Sequence, residues 1–285
     1  MRSAFKPMSP SEKAHFLTTY LDYLRRRDGI PDLANQRFDL REGFFAEIDA
    51  SPVCWKGTPP IDQVVFDRNY ARRSPEADVD EATLWALATA KTNRAERFGV
   101  ERELETHGVP PNAANDPKVY VQVEEFYHTR ILQDALATLG IKVSVSTPGV
   151  AAQALIRGMV HLPEELSDVL VLCGEIVGVA LFSLLLEKAR VLFAAQPEAL
   201  ERVEKLFGQI MVDEVGHVHF VRSRLSAFQL RWAERLLPAV AHGALDDNPD
   251  MVRLFGRKEI LRRVVEADVD AAAAPYADRL IFEAA

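Results

Sequence analysis

Two Glu-x-x-His motifs are the residues of this chain best suited to chemistry. They are Glu125-Phe-Tyr-His128 and Glu214-Val-Gly-His217, and each lies in an apolar stretch with helical periodicity. Because residues three apart share one face of a helix, each motif presents a carboxylate and an imidazole in the same direction. Burying such groups without a partner is costly, so their convergence on apolar helix faces indicates a bound metal.

A third motif of the same form, Glu12-Lys-Ala-His15, occurs in a polar stretch rich in lysine and serine. We interpret it as a solvated helix face, because its neighbours would not remove the two side chains from water. The sequence therefore offers two metal-binding motifs rather than three.

Helical patterns extend over nearly the whole chain, and no strand pattern is convincing, so we predict an all-α fold. Glycine and proline punctuation separates four long helices, predicted at 80–107, 117–139, 163–195 and 197–225. Shorter helices are predicted at 9–27, 39–49, 149–158, 226–242 and within 250–283. We treat 1–285 as a single domain, in which a four-helix bundle at 80–225 follows a helical and irregular extension at 1–79 and precedes a helical extension at 226–285.

Two further glutamates, Glu96 and Glu175, are candidates to complete a site built from four helices. The midpoint between Glu96 and Glu125 falls on Pro110-Pro111, and the midpoint between Glu175 and Glu214 falls beside Gln196-Pro197. Both pairs would therefore lie level in two antiparallel helical hairpins. Two alternatives stay open, namely Glu101 in place of Glu96 and, for Glu175, a buried pair with an arginine.

An acidic residue precedes the glutamate of each motif, and these residues are Glu124 and Asp213. Metal-bound histidines usually donate their second ring N–H to a carboxylate. We therefore expect Asp213 and Glu124 to orient the two histidines, with a salt bridge at the surface or between helices as the alternative.

The set of Glu96, Glu125 with His128, Glu175, and Asp213-Glu214 with His217 resembles the ferritin-like non-haem di-iron carboxylate proteins, over about 80–225. The resemblance implies a ferritin-like four-helix bundle with one long crossover. It also implies two irons bridged by the two motif glutamates, one further glutamate and one histidine on each metal, and activation of O2. Carboxylates with a few imidazoles suit two Fe ions, with Mn or mixed Fe/Mn as the alternatives.

Among enzymes of this kind, the bacterial aryl-amine N-oxygenases are similar in size, motif separation and helical extensions. They place an additional histidine one turn before the last motif's glutamate, where this chain has Ile210. Hydroxylation and desaturation are therefore alternatives to N-oxygenation of a small hydrophobic or aromatic organic substrate. The resemblance implies O2 as co-substrate and electrons from a donor such as a ferredoxin, with no catalytic residue beyond the metal ligands.

Two other classes of function remain alternatives, namely a ferroxidase or iron store and a structural bundle with a vestigial metal site. The extensions at 1–79 and 226–285 favour an enzyme, because they can line a substrate pocket and would obstruct packing into a storage shell. They also suit a homodimer, which is the oligomeric state we expect.

The bulk properties predict a cytoplasmic protein with no nucleic-acid or membrane partner. The net charge is −8 and the isoelectric point is near 5.5, which argues against nucleic-acid binding. The N-terminus has no apolar signal core. The most apolar run, 169–193, is interrupted by charges such as Glu175 and Glu187, which favours a buried bundle helix over a membrane span.

Overall fold

The computed structural model describes residues 3–50, 55–110 and 113–276, and most of them are helical, which confirms the all-α fold. The elements in chain order are α1 (Pro10–Asp28), β1 (Pro31–Asp32), β2 (Arg37–Phe38), α2 (Glu42–Ala50), α3 (Gln63–Tyr70), α4 (Glu81–Thr92), α5 (Arg94–His107), α6 (Pro117–Thr138), α7 (Val150–Met159), α8 (Glu164–Leu192), α9 (Pro197–Arg224), α10 (Ala227–Asp247), α11 (Pro249–Phe255), α12 (Arg257–Val265) and α13 (Val269–Ala273). The end of the predicted helical stretch at 250–283 lies partly outside the described residues.

Helices α6, α8 and α9 pack together with α4 and α5 as the centre of the molecule. Their starts follow the local sequence. Asp116 caps α6 by accepting a hydrogen bond from the Lys118 N–H at 2.9 Å, and proline occupies the first turn of both α6 and α9. These contacts agree with a four-helix core, while the specifically ferritin-like bundle stays a prediction.

The helix predicted over 80–107 is interrupted at Asn93, which separates α4 from α5. Asn93 is buried, and its side-chain amide donates to the Glu125 carbonyl at 2.8 Å and to the Thr129 hydroxyl at 3.2 Å. The break therefore results from a tertiary contact with α6, for which the local sequence carries no signal. It leaves Glu96 in the first turn of α5.

An aromatic cluster fills one end of the helical core beside α6. The Trp85 indole donates to the Leu185 carbonyl at 2.8 Å, and its ring lies 5.1 Å from the Phe193 ring and 6.0 Å from the Phe207 ring, centroid to centroid. Phe182 lies 6.3 Å from Phe207 by the same measure. All of these aromatic rings are buried, so this end of the bundle is closed to water.

Within the described residues, α8 is the one helix long and apolar enough to cross a membrane by length and composition. Its most apolar 18-residue window has a mean hydropathy of 2.6, and 78% of that window is buried inside the protein. The central helix of a soluble bundle has the same properties, so length and hydropathy alone are weak evidence for a membrane span.

Two elements of the N-terminal extension were not predicted. Helix α3 begins after Asp62, whose carboxylate accepts hydrogen bonds from the N–H groups of Val64 at 2.7 Å and Val65 at 3.1 Å. The β1–β2 hairpin has only two residues in each strand, too few for an alternating pattern to show in the sequence. Helix α10 also continues to Asp247, beyond the predicted end at 242.

Candidate metal centre

The structure brings the side chains of the six predicted ligands to one place. Glu125 and His128 lie on α6, Glu175 on α8, and Glu214 and His217 on α9, and all five are at most 5% exposed. The sixth, Glu96 on α5, is partly exposed, but its Oε2 atom is fully enclosed. Five of the predicted ligands therefore lie in the interior on α6, α8 and α9, and Glu96 on α5 interacts electrostatically with Glu125 and Glu175.

Four of these residues form a compact inner group, made of Glu125, Glu175, Glu214 and His217. One ligand atom from each lies within 4.8 Å of the others, so the group could hold a metal ion. His217 Nδ1 is 3.2 Å from Glu125 Oε1 and 3.3 Å from Glu175 Oε2.

His128 adds a second imidazole on the other side of Glu125. Its Nδ1 atom is 3.3 Å from Glu125 Oε2 and 3.4 Å from Glu214 Oε1. The two oxygens of Glu125 thus face different histidines, one on each side.

The inward-facing atoms of this cluster are close together but are not oriented as hydrogen bonds. Within the described part of the chain, none of the following has a hydrogen-bond partner: Glu96 Oε2, Glu125 Oε1 and Oε2, His128 Nδ1, Glu175 Oε2, Glu214 Oε1 and Oε2, and His217 Nδ1. Buried polar atoms without partners are rare because each costs free energy of folding. Carboxylate oxygens and imidazole nitrogens aimed at one another are the donor set that fits a transition-metal cation.

The raised pKa values of Glu96 and Glu214 also favour a bound cation. Burial raises the pKa of Glu214 well above its ordinary value, and the charges of Glu96 and Glu175 raise it further. Burial likewise raises the pKa of Glu96, with added repulsion from Glu125 and Glu175. A cation among these carboxylates would remove the repulsion and favour their ionised forms.

The opposite ring nitrogen of each histidine contacts an acid on the other motif-bearing helix. His128 Nε2 lies 3.2 Å from Asp213 Oδ2, and His217 Nε2 lies 2.8 Å from Glu124 Oε2. Glu124 and Asp213 are therefore placed where the sequence predicted them, each beside the histidine of the other motif. Such contacts fix the orientation of the imidazole ring and leave Nδ1 turned towards the cluster.

Two arginines that were not predicted enclose this pair of acids. Arg27, near the end of α1, contacts Glu124 and places Nη1 2.7 Å from Asp213 Oδ1. Arg41, which is 4% exposed, contacts Asp213 and lies 3.5 Å from Glu124 Oε1. Asp28 balances part of their charge, because Arg27 Nε donates to it at 2.9 Å. The extension at 1–79 thus supplies the outer layer of the site.

These arginines also bear on the alternative for Glu175. Among the described residues, the ion pairs of Arg27 and Arg41 run to Asp28, Glu124 and Asp213, and the close partner of Glu175 is His217. Among the described residues, the close ionic partner of Glu175 is therefore a histidine and no arginine is paired with it.

The remaining candidate residues lie outside the cluster. Glu101 is about one-third exposed and forms an ion pair with Arg97 at 3.0 Å, so the geometry favours Glu96 over Glu101. Glu12 completes the N-terminal cap of α1 by accepting from the Ser9 N–H at 2.6 Å, and His15 is exposed. Both residues of the third motif are thus at the surface, as predicted.

One side of the cluster opens into a cavity of about 1900 Å³. Glu96, Glu125 and Glu175 line it, whereas the other three ligands lie behind them. Gly178 also lines the cavity. Its lack of a side chain leaves room for the Glu214 carboxylate, because a Cβ atom there would lie 2.7 Å from Glu214 Oε2. A molecule in the cavity could therefore approach the cluster directly.

No protein-family model, curated protein or solved structure matches this chain. The features of the molecule that bear on its function are the cluster, the acids and arginines around it, and the cavity.

Proposed function

We propose that this protein is a non-haem di-iron oxygenase or oxidase that uses O2 to oxidise an organic substrate. The observation that carries the proposal is the reciprocal arrangement of the two motifs. Each histidine turns one nitrogen to the shared carboxylates and the other to the acid that precedes the opposite motif's glutamate. A histidine oriented in this way on each side of shared carboxylates suits two metal ions better than one.

The side chains divide between the two metal positions according to their distances. Glu125 offers one oxygen beside each histidine, so it would contribute a ligand atom to both metal positions. Glu214 lies beside His128 and Glu175 beside His217, so each position would gain a further carboxylate. Glu96 would complete the set from the cavity side.

Iron is the metal we propose, with manganese or a mixed pair as the alternatives, because four carboxylates and two imidazoles form a predominantly hard ligand set. Bound iron would supply the activation of O2, which amino-acid side chains cannot perform. The chain's own residues hold and orient the ligands. The buried aromatic cluster keeps water from one end of the site, and the cavity admits the substrate at the other.

The cavity favours an enzyme over the two alternative functions. A structural bundle would not need a substrate-sized opening onto the metal ligands. A vestigial site that no longer binds metal would not be expected to keep buried polar atoms without hydrogen-bond partners, because each of them costs free energy of folding. An iron store remains the second candidate. Hydroxylation, N-oxygenation and desaturation all stay within the proposal, since Ile210 occupies the place of the additional histidine and is fully buried.

The proposal includes a homodimer in the cytoplasm that receives electrons from a ferredoxin-type donor or from the substrate. Its test is an anaerobic titration with Fe(II), followed by stopped-flow mixing with O2. We expect a transient visible absorption and oxidation of only the bound iron. Absence of any oxidation by O2 would contradict the proposal, and continued uptake of iron far beyond the site would favour storage.

A further inference from the structure

We infer that the substrate of the proposed oxygenase is a neutral, elongated and apolar molecule that lies in the cavity lined by α5, α7 and α8, over Glu96, Glu125 and Glu175. The claim that this molecule is oxidised rests on the proposed function. The claim that it binds rests only on the residues that line the cavity.

The size of the cavity indicates a large ligand. Residues along the whole of α5, from Arg94 to His107, line it, and the 14 residues of that helix span about 20 Å. The volume of about 1900 Å³ also exceeds the range of roughly 300–1000 Å³ that is usual for drug-sized ligands. A small aromatic amine would leave most of this space unfilled.

Helix α7 packs against α5 and supplies an apolar part of the cavity wall. None of its residues that the structure describes is buried, yet Val150, Leu155, Ile156 and Met159 all line the cavity. Val150 is 84% exposed and Leu155 is 61% exposed. An exposed apolar surface of this kind is typical of a ligand-binding groove, and the cavity beside it favours a small molecule as the occupant.

Glycines on three helices widen the same cavity. Gly99 on α5, Gly174 on α8 and Gly243 on α10 all line it. A Cβ atom would meet nothing within 4 Å at Gly174 or Gly243, and only Ile156 Cγ2 at 3.8 Å at Gly99. Glycine is unfavourable inside a helix. A larger side chain would not clash with neighbouring atoms at these positions, so the effect of glycine here is to leave the cavity wider.

In the described part of the chain, most of the basic side chains that line the cavity pair with carboxylates. Lys118 Nζ lies 2.7 Å from Glu103 and 2.9 Å from Glu164, and Arg224 Nε lies 2.7 Å from Asp168. An anionic head group would have to compete with these carboxylates. The walls are therefore better matched to a neutral molecule.

The test measures binding to the full chain after treatment with EDTA, so that it does not depend on iron. The neutral dye N-phenyl-1-naphthylamine should fluoresce on binding, and 1-dodecanol should displace it at a concentration at least about tenfold lower than 1-butanol, because more apolar surface is buried. Dodecanoate should displace it less effectively than 1-dodecanol.

Gly99→Leu and Gly174→Leu should each weaken binding of the dye about tenfold or more, because leucine fills the cavity. Gly43→Leu is the matched control, since Gly43 lies on α2 with nothing within 4 Å of its Cβ position. Unchanged binding in both cavity variants, or tighter binding of dodecanoate than of 1-dodecanol, would overturn the inference. Dye binding without iron binding would support the binding of a neutral apolar ligand and refute the proposed function. Iron binding without dye binding would support the metal site and overturn the inference about the ligand.

Discussion

Replacing Asp213 by asparagine should weaken the fold and one metal position at the same time. The Asp213 carboxylate lies 3.2 Å from His128 Nε2 and 2.7 Å from Arg27 Nη1, and it also contacts Arg41. Asparagine keeps the shape of the side chain but removes the charge. The two arginines would then share fewer counter-charges, and the imidazole would lose the carboxylate that orients it.

The size of both effects follows from these contacts. Removing one partner of a buried ion pair costs about 3–5 kcal/mol. Because Glu124 and Asp28 remain beside the arginines, we expect the lower end, about 3 kcal/mol. In a chain of this length that corresponds to a fall in Tm of about 6 °C. Loss of the carboxylate behind a metal-binding histidine typically lowers metal affinity about 10- to 100-fold.

The effect on stability should depend on pH in a defined direction. Burial raises the pKa of Asp213, but Arg27 and Arg41 outweigh it and hold that pKa below its ordinary value. The ionised carboxylate therefore stabilises the fold above its unfolded pKa of about 3.9, and this contribution is lost as the pH falls below that value. The difference in Tm between the wild type and Asp213→Asn should be full at pH 7 and should shrink in acid.

The assays are thermal unfolding in EDTA and anaerobic Fe(II) titration. Asp250→Asn is the matched control, because Asp250 is fully buried and pairs with Lys91 at 2.6 Å away from the cluster. It should lower Tm by a similar amount and leave iron affinity unchanged. If Asp213→Asn lowers Tm but binds iron like Asp250→Asn, then Asp213 serves the fold alone and the reasoning about His128 is refuted.

Three further predictions concern the ligands, pH and assembly. Glu96→Gln should lower iron affinity and Glu101→Gln should not, as measured by Fe(II) titration. Equal iron affinities in the two variants would contradict the assignment of Glu96 as the ligand from α5. In EDTA, Tm should fall between pH 5 and pH 8, and it should fall less with metal bound. The raised pKa values of Glu96 and Glu214 in the folded state contribute stability that is full below the pKa of the same groups in the unfolded chain and is lost as the pH rises through their folded-state pKa values. A Tm that rises over this range would contradict this reasoning. Size-exclusion chromatography with light scattering should give a dimer, and a large iron-filled shell would favour storage.

The inner part of the site was predictable because it follows from residue spacing within single helices and from the positions of the turns between them. Three-residue spacing places a carboxylate and an imidazole on one helix face, and the proline-marked turns predict that Glu96 is level with Glu125 and Glu175 with Glu214. The structure brings these residues together even though the helix bearing Glu96 breaks at Asn93.

The outer part of the site could not be predicted, because it depends on contacts between distant segments. Arg27 stands in a basic run at the end of α1, and Arg41 lies directly before α2, within the stretch predicted as a helix at 39–49. Nothing in either stretch indicates that both side chains will meet Asp213, more than 170 residues away in each case. The short helix predicted at 149–158 corresponds to α7, but its role in the cavity wall depends on its packing against α5, which the local sequence does not indicate.

The number of iron ions bound per chain tests the central claim most directly. After anaerobic loading with Fe(II) and removal of excess metal, elemental analysis should find about two irons per chain in the wild type. His128→Ala and His217→Ala should each bind clearly less, whereas His15→Ala, which alters an exposed histidine of the third motif, should bind as much as the wild type. A wild-type protein that stays free of metal, or normal iron content in both His128→Ala and His217→Ala, would contradict the account.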